Sequence, residues 1–302
     1  YPTAAKVYAE ANDVLGYDIT ALSHNGPEEE LGLTRNTQPA LLTHEIACFE
    51  VFKELTGGSV TAGLAAGHSL GEYTALVAAG VISFADGLKL VQKRGELMGD
   101  YGEGEMSAFP LDLDTIRPIA EKHRCAVAGC NLPEQTVVGG RAEDLELVEQ
   151  EVLEQFARKR PVRLKTEGAF HTYYMEKAAE LFRPVLEDAS FGSAEARVLS
   201  NYTGGFHDAD AAKIREGLYY QLSNPVMWHA NLLTAFGDGV KMIFEFGGGI
   251  GSAETPDGKR PNLEGMIKRA TRAADYEAQY RSAINAPTVK ETADFVNNPE
   301  AG

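Results

Sequence analysis

At 302 residues and 44% hydrophobic content the chain can fill one large or two modest domains, and a net charge of −16 argues against nucleic acid as a partner, so an acidic partner must meet a local basic patch. It has no apolar run of about 18 residues to span a membrane, and Tyr1-Pro2 opens no basic-then-apolar leader. Cys48, Cys125 and Cys130, an odd count among apolar neighbours, read as reduced core thiols of a cytoplasmic protein, and only the weak Cys125/Cys130 pair approaches metal-ligand spacing.

In chain order, Thr3 to Leu22 reads as a helix stopped by Gly16 and followed by a short segment. After the Gly26-Pro27 turn comes an acidic helical piece at Glu28-Glu29-Glu30-Leu31, then an amphipathic helix from Thr37 to about Leu55 with Pro39 in its first turn. Thr56-Gly57-Gly58 ends it, and Val60 to Ala66 reads as a strand. A helix-like run from Glu72 to Ala79 follows, then a further helix N-capped by Ser83 with Asp86 three residues on. From Gly102-Glu103-Gly104 the pattern becomes strand (Met106 to Phe109), helix (Leu113 to His123), strand (Ala126 to Cys130), strand (Thr136 to Gly139), helix (Asp144 to Ala157) and strand (Pro161 to Leu164). This βαββαβ order is that of a ferredoxin-like insertion, which places a small subdomain at 103–165 inside a larger α/β domain. Beyond it lie a strand at Ala196 to Ser200, a helix at Ile214 to Leu222 and a buried-type strand at Met242 to Phe246. Trp228 reads as packing, and the charged, alanine-rich tail after Arg269 ends in a loosely ordered Val-Asn-Asn-Pro segment.

The chemistry is concentrated at Gly67-His68-Ser69-Leu70-Gly71, a Gly-X-Ser-X-Gly between strand and helix. In that context flanking glycines allow a strained turn that lifts a serine out as a nucleophile. Ser69 then needs a base and oxyanion donors; the Leu70 N–H, at the positive end of the next helix, is placed to be one donor. His171 is a candidate base, although a lone histidine is usually structural. Taken alone, Arg94 is a solvated surface charge; it changes meaning if the substrate carries a carboxylate, which a guanidinium fork can grip in two-pronged fashion. Arg158-Lys159-Arg160, with Arg163 and Lys165, is the densest basic cluster, suited either to a protected edge strand or to docking a partner.

Gly67-His68-Ser69-Leu70-Gly71-Glu72-Tyr73, Thr37-Gln38-Pro39-Ala40-Leu41, Arg94-Gly95 with Met98, Gly168-Ala169-Phe170-His171, and Gln221-Leu222 with Asn224-Pro225-Val226 and Trp228 together resemble the malonyl-CoA:acyl carrier protein transacylases. The resemblance covers about residues 1–269. It implies a ping-pong transfer from malonyl-CoA through a malonyl-Ser69 ester to the phosphopantetheine thiol of an acyl carrier protein, with His171 moving the proton. It also implies that the Gln221 backbone carbonyl orients His171, that Arg94 pairs with the malonyl carboxylate, and that Phe170 belongs to a malonyl-type Gly-Ala-Phe-His signature. Gln38, Asn131 and Asn201 fall at positions bordering the substrate, no cofactor is bound, and coenzyme A enters only as the thioester. The expected fold is an α/β-hydrolase-like catalytic domain with a parallel-sheet core, residues 1–102 and 166–302, around the ferredoxin-like subdomain at 103–165. A monomer, or one part of a synthase assembly, is the expected state.

The sequence departs from the family pattern in three places. The family's opening strand and Gly-Gln-Gly-Ser-Gln-type loop, source of a second oxyanion donor, lie ahead of where this chain starts at Tyr1; losing one such donor costs about a hundredfold or more in rate. Thr172-Tyr173-Tyr174 is bulkier than usual after the histidine, and Gly247-Gly248-Gly249 with an insertion through Pro261 replaces a Gly-Pro-Gly loop. These departures fit a discrete transacylase serving a polyketide assembly line. Two other readings compete: an acyl hydrolase of the same fold, against which Arg94 argues, and a catalytically weakened carrier-docking domain, against which the joint presence of Ser69, His171, Arg94 and Gln221 argues.

Overall fold

The computed structural model describes residues 1–253 and 255–298. Helices α1 (Pro2–Leu15), α2 (Ile19–Asn25), α3 (Glu28–Leu31) and α4 (Thr34–Leu55) open the chain, and α1 stops where expected, with Gly16 left-handed at φ 75°. Helix α4 begins three residues before the predicted start and holds Pro39 inside it. The Leu33 carbonyl takes the first N–H groups, and the carboxylate of Glu167, far along the chain, caps the Thr34 N–H. Strand β1 (Leu64–Ala65) leads through the serine turn into α5 (Gly71–Ala78), and Ser83 caps α6 (Phe84–Asp100) by accepting the Asp86 N–H.

The next stretch is β2 (Glu105–Phe109), α7 (Leu113–Lys122), β3 (Ala126–Leu132), β4 (Gln135–Gly140), α8 (Ala142–Gln155) and β5 (Val162–Leu164), close to the predicted spans. Its strands form one antiparallel sheet in the order β3-β4-β2-β5. Phe109, Ile116, Val138, Leu145, Val148 and Val152 close a separate core beneath it. A second link runs outward from β3: Cys130 N–H donates to Val226 O and Val226 N–H to Ala128 O.

After a 3₁₀ turn at Tyr173–Met175 come α9 (Glu176–Asp188), β6 (Arg197–Val198), α10 (Ala211–Ser223), α11 (Trp228–Gly237) and β7 (Met242–Phe246). The remainder is β8 (Gly249–Ile250), β9 (Arg260–Pro261), α12 (Glu264–Ala273), β10 (Gln279–Ala283) and α13 (Ala286–Asn297). The insertion after Gly249 folds as the β8-β9 antiparallel pair.

The parallel strands differ from the single core sheet expected. β1 pairs only with β6, and β7 only with β10, so the described residues hold two parallel pairs. The predicted strands at 60–66 and 196–200 shrink to two residues each, with only Leu64–Ala65 and Arg197–Val198 in register. A cavity of about 1670 Å³ separates the pairs, with Leu64 and Ala65 on one wall, Ile243 and Phe244 on another and Phe49 and Phe52 of α4 behind.

The main core joins α1, α4, α5, α6, α9 and α10 through residues such as Leu42, Tyr73, Leu88, Phe182 and Leu218. The chain's end corrects in part the loose order expected of its Val-Asn-Asn-Pro segment. Ala283 of β10 and Val289 and Ala293 of α13 pack on Cys48, Val51 and Phe52 of α4, and a capping box between Asn285 and Thr288 starts α13. Val296 and Asn297 are helical and Asn298 caps the helix, while Pro299 lies outside the described residues. All three cysteines are buried, and no helix among the described residues is long and apolar enough to cross a membrane.

Candidate active site

Ser69 sits between β1 and α5 with φ 53°, a left-handed conformation that costs a non-glycine residue energy. The turn is so tight that a Cβ on Gly67 would lie 2.0 Å from the Gly71 backbone, so the first glycine of the motif is a steric requirement. Asn201 holds the turn from below: its Oδ1 accepts the Ser69 N–H at 2.6 Å, and its Nδ2 donates to Gly67 O at 2.8 Å and to Asn231 Oδ1 at 3.0 Å. Leu70 stands at the head of α5, where the backbone N–H groups point out of the helix.

His171 also has positive φ, 60°, and its Nε2 is 2.7 Å from Ser69 Oγ. Its Nδ1 is 2.7 Å from the Gln221 carbonyl. A carbonyl can only accept, so Nδ1 carries the proton and Nε2 is left to accept one from the serine. Burial, then the nearby Arg94 charge, lower the His171 pKa to about 3 against the opposing pull of the Gln221 carbonyl. The imidazole is therefore neutral at physiological pH.

Arg94, expected at the surface if taken alone, is 1% exposed. Its Nη1 donates to Gln38 Oε1 at 2.7 Å, and its Nη2 donates to Gln221 Oε1 at 2.9 Å and Ser69 Oγ at 3.1 Å. The Tyr73 ring lies 5.4 Å from the guanidinium carbon, and Nε has no partner among the described residues. No carboxylate of the described residues forms an ion pair with it. A buried cation surrounded by neutral acceptors is costly, and an anion entering beside Ser69 would relieve that cost.

A nucleophile, a neutral base and a buried guanidinium meeting at one hydroxyl can carry out acyl transfer. The acyl transferase domain model matches residues 3–245. The chain belongs to the acyl transferase family. It is 35% identical over 280 residues to a malonyl CoA-acyl carrier protein transacylase of Bacillus subtilis (strain 168), covering 90% of this chain and 83% of that one. The malonyl CoA-acyl carrier protein transacylase of Salmonella typhimurium (strain LT2) is 38% identical over 258 residues, 82% of each chain. A malonyl-transacylase solved in complex with a type II polyketide synthase acyl-carrier protein is 32% identical and superposes with a TM-score of 0.86 over 97% of this chain and 92% of that one.

In this acyl transferase the other sequence candidates fall in different places. Gln38 is buried and ties Arg94 to Met98, its Nε2 lying 3.3 Å from the sulfur. Asn131 meets His68 Nε2 at 2.9 Å, joining β3 to the serine turn, and Phe170 lies between two core clusters. Asn201 is buried, with its side-chain amide bonded to Ser69 N, Gly67 O and Asn231 Oδ1 beneath the serine turn. Arg158 and Arg160 are exposed, whereas Lys159 pairs with Glu134 at 2.8 Å and Arg163 with Glu149 and Glu105, which leaves a smaller free basic patch than the sequence suggests. Trp228 is packing, as expected, 2% exposed and edge-on to His68.

Sequence reasoning found the Gln221 carbonyl but missed its side chain, whose Nε2 donates to Ser69 O at 2.8 Å and to Glu72 Oε2 at 2.9 Å. Glu72 stood inside the serine motif; only its complete burial marks it as more than a helix-start acid. Nothing in the sequence pointed to His207 or Asn231.

Proposed function

We propose that this enzyme transfers a malonyl group from malonyl-CoA to the phosphopantetheine thiol of an acyl carrier protein. The observation carrying the reading is Arg94, buried with no carboxylate partner among the described residues and in contact with Ser69 Oγ. An acyl chain ending in a carboxylate supplies the missing charge, whereas an uncharged acyl group leaves the guanidinium unpaired.

Ser69 Oγ attacks the thioester carbonyl as His171 Nε2 takes its proton, and the Leu70 N–H faces the oxyanion. Collapse breaks the C–S bond, and His171 returns the proton to the departing CoA sulfur, leaving a malonyl-serine ester. The carrier thiol then gives its proton to His171 and attacks the ester; the proton passes back to Ser69 Oγ, and malonyl leaves on the carrier. Arg94 holds the malonyl carboxylate throughout, with Gln38 and Gln221 fixing the guanidinium. The hydrolase alternative gains nothing from a buried carboxylate partner.

The division into an α/β-hydrolase-like domain, residues 1–102 and 166–302, and a ferredoxin-like subdomain at 103–165 belongs to the same proposal. Strand order β3-β4-β2-β5 with two helices supports the second part, and the serine turn between β1 and α5 the first. Arg158 and Arg160 are the proposed contacts for an acidic carrier in the cytoplasm. Intact-protein mass after brief exposure to malonyl-CoA or acetyl-CoA, followed by addition of a carrier protein, tests the reading. A malonyl adduct on Ser69 that moves to the carrier, with little acetyl adduct, is expected; no adduct, or equal labelling by both thioesters, overturns it.

A further inference from the structure

Behind the reacting groups lies a second buried pair. Glu72, on the first turn of α5, has a side chain with no exposed surface, and the side chain of His207, from the segment before α10, is 5% exposed. His207 Nε2 donates to Glu72 Oε1 at 2.6 Å. The other oxygen, Oε2, accepts Gln221 Nε2 at 2.9 Å and the Asn201 N–H at 3.1 Å. Gln221 in turn accepts Arg94 Nη2 through its side-chain oxygen at 2.9 Å and His171 Nδ1 through its carbonyl at 2.7 Å.

A carboxylate and a guanidinium enclosed together ordinarily pair. Here they form no ion pair: both Glu72 oxygens are occupied, and among the described residues the Arg94 hydrogen bonds go to the neutral oxygens of Gln38, Gln221 and Ser69. We propose that His207 is a positioning residue that holds Glu72 away from Arg94, keeping the guanidinium free for the carboxylate of the incoming acyl group and thereby setting the preference for a dicarboxylic acyl thioester. This inference rests on Arg94 being the anchor for malonyl. Without a donor at position 207, Glu72 Oε1 is left unsatisfied in a dry site. The fork of Arg94 then becomes its partner, and substrate must displace that internal ion pair. Uncharged acyl groups do not use the fork and are spared.

The test is Ser69 acylation by malonyl-CoA and by acetyl-CoA, followed by intact mass, in the full chain carrying His207→Leu, His207→Gln, or His207→Leu with Glu72→Gln. His207→Leu is expected to lower malonyl-over-acetyl discrimination about tenfold or more, chiefly by raising KM for malonyl-CoA. His207→Gln, which keeps a neutral donor, retains most of it. Adding Glu72→Gln to His207→Leu removes the competing charge and restores it. Equal losses for both thioesters, or a double variant no better than His207→Leu, overturn the role of His207. If His207→Leu does not fold, His207→Ala takes its place, with the same loss and the same rescue by Glu72→Gln expected, and unchanged discrimination in His207→Ala overturns the proposal. A wild-type protein that labels equally with both thioesters refutes the malonyl reading itself, an outcome separate from any failure at His207.

Discussion

Arg94→Ala removes a cation that contacts Ser69 Oγ. In the wild-type site two guanidinium nitrogens engage Gln38, Gln221 and Ser69, and a malonyl carboxylate would take charge-assisted bonds from the same fork. Each bond to a charged group is worth about 1.5–3 kcal/mol, so losing two removes about 3–6 kcal/mol of binding to malonyl. At about 1.4 kcal/mol per factor of ten, kcat/KM for malonyl-CoA falls by at least a hundredfold. Acetyl-CoA carries no carboxylate, and its kcat/KM stays within about threefold or rises, as a costly desolvated cation has gone. The variant also removes the second cause of the low His171 pKa, after burial, so the imidazole becomes more basic and any acid limb moves upward in pH. Arg94→Lys does not restore the site, since an ammonium cannot span Gln38, Gln221 and a carboxylate at once. The assay is initial CoA release with each thioester, with circular dichroism confirming the fold. An Arg94→Ala protein whose malonyl-to-acetyl ratio matches wild type refutes the reasoning.

His171, with its pKa lowered to about 3 in the folded chain, stays neutral as pH falls, so kcat/KM of the free enzyme shows no imidazole limb near 6.5; a limb there contradicts the burial argument. The unfolded imidazole does bind a proton below about 6.5, so stability falls as pH drops from there towards 3, and His171→Phe flattens that slope in denaturant titrations. Glu45 has the opposite sign: burial and the Glu245 charge raise its pKa from 4.5 to about 7 although Thr74 bonds its carboxylate, so the folded state holds a proton that the unfolded state has lost. It therefore costs stability as pH rises from about 4.5 to 7, to a limit of about 3 kcal/mol, and Glu45→Gln should remove that dependence. Asn201→Ala strips the turn of bonds to Ser69 N and Gly67 O, predicting about 3 kcal/mol of lost stability in urea titration together with a lower kcat; a drop below about 1 kcal/mol would show that the turn holds itself. Charge reversal at Arg158 and Arg160 should slow transfer to the carrier several-fold, most at low salt, and leave self-acylation by malonyl-CoA unchanged; equal losses in both half-reactions would place the defect elsewhere.

What could be read from the sequence was what is local. The serine turn, the Gly16 stop, the Ser83 cap and the βαββαβ order all rest on residues within a few positions of one another, and each appears where expected. Less legible were features made by distant partners. Glu167 caps α4 from 133 residues away, and Asn201 reaches Ser69 across 132, so neither the early helix start nor the support under the turn has a local signature. The Val-Asn-Asn-Pro segment looked loose because it carries little apolar surface of its own, yet Val296 and Asn297 continue a helix that Val289 and Ala293 seat on α4. Strand length failed for a related reason: apolar runs predict where a strand can form, but ladder bonds to a neighbour decide how much of the run is strand.

The burial of the three cysteines bears on chemical selectivity. Thiols enter and leave this site in every cycle, first on coenzyme A and then on pantetheine, and any reactive cysteine of the protein would compete as an acceptor for the activated acyl group. Burial pushes Cys48 and Cys125 up to about 12 and raises Cys130 as well. Held as neutral thiols, out of reach of the thioester, they are poor nucleophiles. In the proposed mechanism acyl groups thus rest on oxygen, as an ester that an incoming thiol can attack, and are not diverted onto sulfur elsewhere in the chain.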